Sequence, residues 1–510
     1  MEKLPIGIQS FRKIREGNFV YVDKTKYALD LLESYQYVFL ARPRRFGKSL
    51  FLNTLKEIFE GPKELFKGLY IYDKYDFPKH PVIRISWAGN LKTLDEIKST
   101  AFAILRSHER KFDITCDERK VPAACLKELI ERIYYKFKAK VVVLVDEYDK
   151  PILDNIEEVN AAREAREFLR GFYSVIKDAD EYLRFAFITG VSRFSRVSIF
   201  SGINNLVDIS LNPKFAYICG YLHENLTHEF KEYLKGVDLE KVRRWYNGYN
   251  FLGHEKLYNP FDILLFIDSG FEFKNYWFET ATPSFLIKLL ERKTYNLICF
   301  EHLEVDEKIL SSFDVERPDL ETIMFQSGYL TIKQVKHILH KNRYVLAFPN
   351  MEVRMSFNDY LLDYLLLKDR YEKQKLADFL YEVLRNERLK DLEKALKALF
   401  GNIAYTNFVK NSLSKYEGFY GSVFYAFWAG AGFEVIPEDI TSQGRIDLTV
   451  ILEDKVYIFE FKVHDEDPLR QIEQKKYYEK YLYAKTIYGV GIIFDNKTRS
   501  PRKLETKKFK

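Results

Sequence analysis

Four short, nearly uninterrupted apolar runs, "QYVFLA", "PVIRISW", "VVVLVDE" and "LRFAFITG", are separated in the first half of the chain by segments long enough for helices, such as "SLFLNTLKEIFEG". Runs of this kind fit strands buried on both faces, and helix-length connections are what parallel neighbours require. The first half therefore reads as an α/β domain, a parallel sheet with helices on both faces. At 510 residues the chain exceeds what one core usually supports, so two or three domains are expected. An apolar share of 47% beside 30% charged residues is that of a soluble globular protein. No apolar run approaches the ~20 residues needed to cross a bilayer, so no membrane role is expected.

The sheet-forming pattern occupies residues 1–223. From 224 to 369 it becomes mostly helical, with aromatic punctuation at "WYNGYNF" and "YLTIKQV", a connecting region of winged-helix-like character. Residues 370–510 open with charged helices and close with a helix, three strand-like runs, a helix and a strand. The start "MEKLPIGIQS" has no basic region followed by an apolar one, which points to a cytoplasmic protein. Cys116, Cys125, Cys219 and Cys299 are too widely spaced for the usual zinc pairings and too few for a disulfide framework, so they are expected to be reduced and structural. Lysine and arginine exceed the acids by 80 − 74 = +6, which permits a nucleic-acid partner without demanding one. The basic end "KTRSPRKLETKKFK" reads as a frayed, soluble tail.

In "YVFLARPRRFGKSLFLNTL" an apolar strand runs into a turn, and the turn into an amphipathic helix starting near Gly47. A loop that wraps phosphates needs free backbone N–H groups at a helix N-terminus, a glycine for close approach, a lysine for the terminal phosphates and a hydroxyl for magnesium. Gly47, Lys48 and Ser49 supply the last three, with Arg45 and Phe46 as loop neighbours. The first glycine of the G-x-x-x-x-G-K-[ST] pattern is replaced by Arg42. The run "VVVLVDEYD" delivers Asp146, which would hold magnesium through water, and Glu147, which would polarise the attacking water. The intervening "PVIRIS" fits a sheet in which the strands ending at Arg42 and at Asp146 are neighbours but not consecutive. "FAFITGVSRFSR" ends a further strand in Thr189, placed to sense a terminal phosphate. Arg193 and Arg196 are placed to stabilise transition-state charge, in cis or from a neighbouring subunit of a homo-oligomer. The plain alternative is a capped helix and an acid-ended strand; strand, loop and helix context at both sites, in the right chain order, favours ATP with Mg²⁺.

Along "KVYIFEFKV" alternation puts Glu460 and Lys462 on the face of Val456 and Ile458. If Glu453 and Asp454 form a two-residue turn, antiparallel pairing sets Leu452 opposite Lys455 and, by the same register, Asp447 opposite Glu460. Two acids at that spacing can hold a second Mg²⁺ at a phosphodiester, and the lysine can orient the nucleophile. Glu417, on the helix before the strands, and Gln471, on the helix after them, are further candidates. The alternative is an exposed hairpin with an ordinary Glu460/Lys462 pair.

With these residues in hand, the chain resembles the prokaryotic AAA-ATPase-like proteins that carry a C-terminal PD-(D/E)XK nuclease-superfamily domain. The likeness runs through "LPIGIQSFRKIREGNFVYVDKT", "RPRRFGKSLFL", "VVVLVDEYDKPI", "ITGVSRFSRVSIFSGINNL", "YNPFDIL" and "FQSGYLTIK". In that family an arginine-rich loop routinely stands in place of the first glycine, so the resemblance implies a P-loop NTPase fold followed by a restriction-endonuclease-like domain. It implies phosphate and magnesium binding for Lys48 and Ser49, a Walker B role for Asp146 and Glu147, and a nuclease triad of Asp447, Glu460 and Lys462. The expected function is an ATP-binding, ATP-hydrolysing protein whose nucleotide state gates Mg²⁺-dependent cleavage of nucleic acid, in the first instance DNA. The alternative from another class is a nucleotide-switched binding or signalling protein whose nuclease-like domain grips nucleic acid or a partner without cutting.

Overall fold

Each of the four apolar runs becomes a strand: β1 (Tyr37–Ala41), β2 (Val82–Ser86), β3 (Val141–Asp146) and β4 (Leu183–Gly190). These coordinates are a computed structural model that describes residues 2–193, 199–200, 203, 205–277, 286, 297–311, 314, 316, 319–365, 370–401, 417–463, 466–495 and 500–510. A fifth strand, β5 (Val207–Asp208), joins β1, and the parallel sheet runs in the order β2-β3-β4-β1-β5. This corrects the expectation that the strands leading to Arg42 and to Asp146 are neighbours. β4 lies between them, pairing with β1 on one side and β3 on the other.

Alternation decides which helix covers which face. Ala186 and Ile188 of β4 join Val143, Val145 and Phe39 in a core covered by the helices Leu94–Phe112, Pro122–Phe137 and Val159–Asp178. Phe185 and Phe187 point the other way and meet Phe59 and Phe51 of the helix Lys48–Glu60, with ring centroids 6.2 and 5.8 Å apart. Side chains of this size, fully buried, each contribute about 2 kcal/mol to the fold. Cys116 and Cys125 correct the expectation that all four cysteines are reduced. They form a disulfide with Cα atoms 5.5 Å apart, because the short loop between two packed helices brings residues nine apart in sequence together. Cys219 and Cys299 are free.

Beyond the sheet, β6 (Asn247–Tyr249) and β7 (Leu257–Tyr258) form a small hairpin. A three-stranded sheet follows, built from β8 (Leu303–Asp306), β9 (Thr331–Ile338) and β10 (Lys341–Ala347) in the order β8-β10-β9. The helices Glu307–Ser311 and Leu320–Ser327 lie between β8 and β9 in sequence, which is the strand and helix order of a winged helix. The chain divides into two compact units, Met1–Phe285 with Glu304–Asn350, and Leu286–Leu303 with Met351–Lys510. Residues 224–285 and 304–350 thus group with the parallel sheet, and 351–369 with the C-terminal unit.

In the second unit, β11 (Glu434–Thr441), β12 (Gly444–Leu452), β13 (Lys455–Lys462), β14 (Thr486–Asp495) and β15 (Ser500–Lys508) form a sheet in chain order. All neighbours are antiparallel except β13 and β14, whose parallel pairing is permitted by the crossover helix Pro468–Gln474. Phe459 and Phe461 face the helix Glu417–Gly430 through Phe424, each at 5.0 Å, while Val456 and Ile458 face Ile472 and Tyr477. The basic end is not a frayed tail: Ser500–Lys508 pairs with β14, Pro501 is buried, and Phe509 stacks on Tyr478 at 4.4 Å. Among the described residues no helix is long and apolar enough to cross a membrane.

Candidate nucleotide cleft and paired-carboxylate site

β1 is buried at every position and ends where the loop Arg42–Gly47 begins. The loop is fixed by its own side chains. Arg42 is 1% exposed, and its guanidinium donates to the carbonyls of Ala41 at 2.9 Å, Ser210 at 2.6 Å and Phe215 at 3.1 Å while lying 4.0 Å from the Phe251 ring centroid. Burial lowers its pKa to about 10, which leaves it charged at neutral pH. Phe46 is buried against Tyr249 and Phe251, at 4.8 and 5.6 Å. Tyr249 and Phe251 of "WYNGYNF" therefore form the wall that holds the loop, a role not assigned to them from sequence.

Arg45 takes φ 67° and Gly47 φ 95°, so the loop turns twice through left-handed backbone before the helix Lys48–Glu60. A glycine at the second position does this at least cost and lets backbone amides converge at the helix N-terminus, the arrangement that cradles phosphate. Lys48 Nζ folds back across the loop, donating to the carbonyls of Arg42 and Pro43 at 2.8 Å each. Burial pulls its ammonium below the usual lysine range, with Asp146 opposing that shift.

Asp146, at the end of β3, is 2% exposed; its Oδ1 has no hydrogen-bond partner among the described residues, and its Oδ2 lies 3.5 Å from the Arg84 guanidinium. Glu147 stands at φ 51° on the lip of the cleft, where desolvation by its walls, and then Asp146, push its carboxyl upward. A cleft of about 500 Å³ opens beside Glu147; Asp146 lies behind it and is not among the residues that line it. Arg44, Arg45, Lys48 and Ser49 line one part of it, and Ile8, Gln9, Phe261 and Leu264 line another. The Arg45 guanidinium lies 4.7 Å from the Phe261 ring centroid.

Two of the expected phosphate-end residues are engaged elsewhere. Thr189 Oγ1 donates to the Leu40 carbonyl at 2.8 Å. Arg193 binds Asp208 at 2.7 Å, donates to the Leu310 carbonyl at 2.8 Å, and is absent from the cleft lining. Arg196 lies outside the described residues. Sequence reasoning missed Asp149, a buried cleft acid that accepts from the backbone N–H of Val191 at 3.0 Å and Ser192 at 2.6 Å and so ties the end of β3 to that of β4. The "DEYD" spacing held the signal, since one residue of turn after Glu147 returns a carboxylate toward the sheet. Arg84, an arginine in an otherwise apolar run, and the Pro5–Gln9 segment were also missed.

In the second unit the hairpin β12–β13 turns at Glu453 and Asp454, with Leu452 opposite Lys455 and Leu448 opposite Phe459, the expected register. Asp447 Oδ2 accepts from the Phe461 backbone N–H at 2.8 Å. Glu460 is fully buried; Gln471 Nε2 donates to its Oε2 at 3.1 Å, while its Oε1 has no partner among the described residues. Burial and then the neighbouring Asp447 push the Glu460 carboxyl up to about 9, with Lys462 pulling the other way. Gln471 reaches this point because Gly491, beside Glu460 on β14, leaves room for the crossover helix: a Cβ there would stand 2.8 Å from the Leu469 backbone nitrogen. Lys462 is half-buried, its Nζ 4.0 Å from Glu466. Glu417 opens the helix Glu417–Gly430, and its side chain lies outside the described residues.

The structure thus brings Asp447, Glu460 and Gln471 together, with Lys462 two residues along the same strand. Two acids, one burying an unpartnered oxygen, make a donor set that a hard divalent cation would satisfy.

Family models match in the same two places. Residues 5–200 match a family described as predicted AAA-ATPase, and residues 415–503 match the PD-(D/E)XK nuclease superfamily. The chain is 44% identical over 507 residues, 98% of each chain, to a protein of Azotobacter chroococcum mcd 1 described as an uncharacterized protein in the vnfD 5′ region. The chain belongs to this family of AAA-ATPase-like proteins with a C-terminal PD-(D/E)XK segment. Among solved structures, the Aeropyrum pernix Orc1 protein in complex with DNA matches 68% of this chain and 96% of its own at 8% identity and TM-score 0.28, too distant a likeness to carry an argument.

Proposed function

We propose that the protein is an ATPase coupled to a Mg²⁺-dependent nuclease, its nucleotide state gating cleavage of DNA in the cytoplasm. The observation that carries the nuclease reading is Glu460: a buried carboxyl with an unpartnered oxygen, beside a second acid and with a lysine on the same strand face. Burying such a group costs free energy unless a cation uses it. Asp447 and Glu460 would hold magnesium, which supplies Lewis acidity toward a phosphodiester when bound. Lys462 would orient the attacking water and Gln471 would fix the Glu460 carboxylate.

In the other unit, Lys48 would leave the loop carbonyls for the terminal phosphates of ATP. Ser49 and Asp146 would hold the magnesium that accompanies them, and Glu147 would polarise water for hydrolysis. Gating is supported by the path of the chain, which passes between the two units three times, at 285/286, 303/304 and 350/351. A nucleotide-driven movement of the first unit would be carried to the second by three covalent links. Calorimetric titration with Mg²⁺ and Mn²⁺ tests the metal site: wild type should bind in the C-terminal unit, and Asp447→Asn should not. Equal binding by both proteins would overturn the assignment.

A further inference from the structure

The hairpin β9–β10 has features that packing does not explain. Between Thr331 and Ala347 it carries Lys333, Lys336, His337, His340, Lys341 and Arg343 and no acid. The register sets Arg343 opposite Lys336 and Lys341 opposite Ile338, so three cations share one face. Like charges directly opposite each other weaken a sheet. Lys336 is paired with Glu304, whereas the exposed Lys341 and Arg343 have no ion-pair partner among the described residues.

The turn at the tip is strained. Leu339 and His340 both take left-handed backbone, at φ 47° and 62°, in a two-residue turn that favours Asn-Gly. Leu339 is also 88% exposed. A branched apolar residue held at a strained, solvent-facing tip gains the fold nothing, and strain of this kind persists where a function uses it.

The neighbouring helix Leu320–Ser327 occupies the sequence position of a winged helix's groove-reading helix, but Leu320, Thr322, Met324, Phe325 and Gln326 are buried. Gln326 accepts from the Arg193 backbone N–H at 2.9 Å, and Gly328 packs on Pro43 beside the phosphate loop. That helix packs its buried side chains into the first unit, whereas the tip of the hairpin, from His337 to Arg343, is exposed.

We propose that the β9–β10 hairpin is a wing that grips duplex DNA, Lys341 and Arg343 on backbone phosphates and Leu339 entering the minor groove. This rests on the nucleic-acid reading above and adds the surface and the form of the ligand. Same-face residues two apart on a strand are about 7 Å apart, the axial rise of roughly two phosphates on one DNA strand. An apolar side chain at the tip of a narrow hairpin suits insertion between base steps. A single-strand site would instead present large aromatic stacking surfaces, and the hairpin's one tyrosine, phenylalanine or tryptophan side chain, Tyr344, is buried.

The test is binding of the full-length protein, in EDTA, to a labelled blunt duplex across a salt series, with single-stranded DNA and anionic phospholipid vesicles as parallel probes. Lys341→Gln/Arg343→Gln should weaken duplex binding about tenfold or more and flatten the log–log salt slope by about 1.8, the release expected for two phosphate contacts. Leu339→Gly should relieve the turn and raise the melting temperature while still weakening duplex binding, a combination that a structural role would not produce. Duplex binding with unchanged affinity and slope in both variants would overturn the wing and leave the nucleic-acid reading standing. Preference for single strands, or hairpin-dependent binding to vesicles instead of duplex, would also overturn it. No binding of wild type to any nucleic acid would overturn both.

Discussion

Restoring the glycine that the phosphate-loop pattern asks for should damage this protein. Arg42 fills the interior behind the loop, its guanidinium shared among the carbonyls of Ala41, Ser210 and Phe215 and stacked on Phe251. Hydrogen bonds from a charged donor contribute about 1.5–3 kcal/mol each, and a buried carbonyl left without its donor costs about 1–3 kcal/mol. Removing the arginine also removes the cost of burying its charge, so the sum is not simply additive. A net loss of about 3–5 kcal/mol follows for Arg42→Gly, in line with the breaking of other buried charged networks. For a unit of this size that is a fall of roughly 6–10 °C in melting temperature, at about 2 °C per kcal/mol. Arg42→Lys keeps the charge but cannot span three carbonyls, so it should fall between the two. Differential scanning fluorimetry with and without ATP reads both effects, and the glycine variant should also lose nucleotide binding because the loop loses its anchor. An Arg42→Gly protein that melts with wild type and binds ATP as well or better would refute the reasoning and make Arg42 a tolerated replacement for glycine.

Other outcomes follow from the two sites. Lys48→Ala should abolish binding of a fluorescent ATP analogue while leaving the melting temperature within a few degrees, since only two loop carbonyls lose a donor. Asp149→Ala should destabilise the first unit by about 1–3 kcal/mol, because the backbone N–H groups of Val191 and Ser192 lose their acceptor; thermal melts check this. In EDTA, Glu460→Gln should stabilise the protein, and more at pH 8 than at pH 5. The folded Glu460 pKa lies above its unfolded value, so the folded state binds the extra proton, and wild-type stability is lost as pH rises from about 4.5 toward about 9. An increment on the order of a few kcal/mol is expected near pH 8; a pH-independent difference between the two proteins would count against a buried, raised carboxyl.

Much of this architecture can be read from local pattern. Four sheet strands appear as continuous apolar runs because burial on both faces leaves no polar positions, and the β12–β13 register follows from a two-residue turn and alternation. β5 could not be seen because two residues carry no period. Its place beside β1 is fixed by long-range packing and by Ser210, whose hydroxyl accepts from the Ala41 backbone N–H. β15 was hidden by its lysines, which an edge strand tolerates because one flank faces water. Strand order is likewise non-local: nothing in the runs themselves says that β4 separates β1 from β3. At the candidate nucleotide cleft the loop residues stand out in the sequence because a phosphate-binding loop constrains their types. The supports, Arg84, Asp149 and the aromatics under Arg42, were not, because they act through distances that only the fold sets. Arg193 shows the reverse error, an arginine near a strand end that is used to bind Asp208.

The central claim is that ATP gates a magnesium-dependent cut made at Asp447, Glu460 and Lys462. The most direct test is cleavage of plasmid and branched DNA with Mg²⁺, with and without ATP, by wild type, Lys462→Ala and Lys48→Ala. The account predicts metal-dependent products that disappear with Lys462→Ala, at unchanged melting temperature, and that change with ATP for wild type but not for Lys48→Ala. Undiminished cutting by Lys462→Ala, or no product on any substrate while ATP is still turned over, would contradict it.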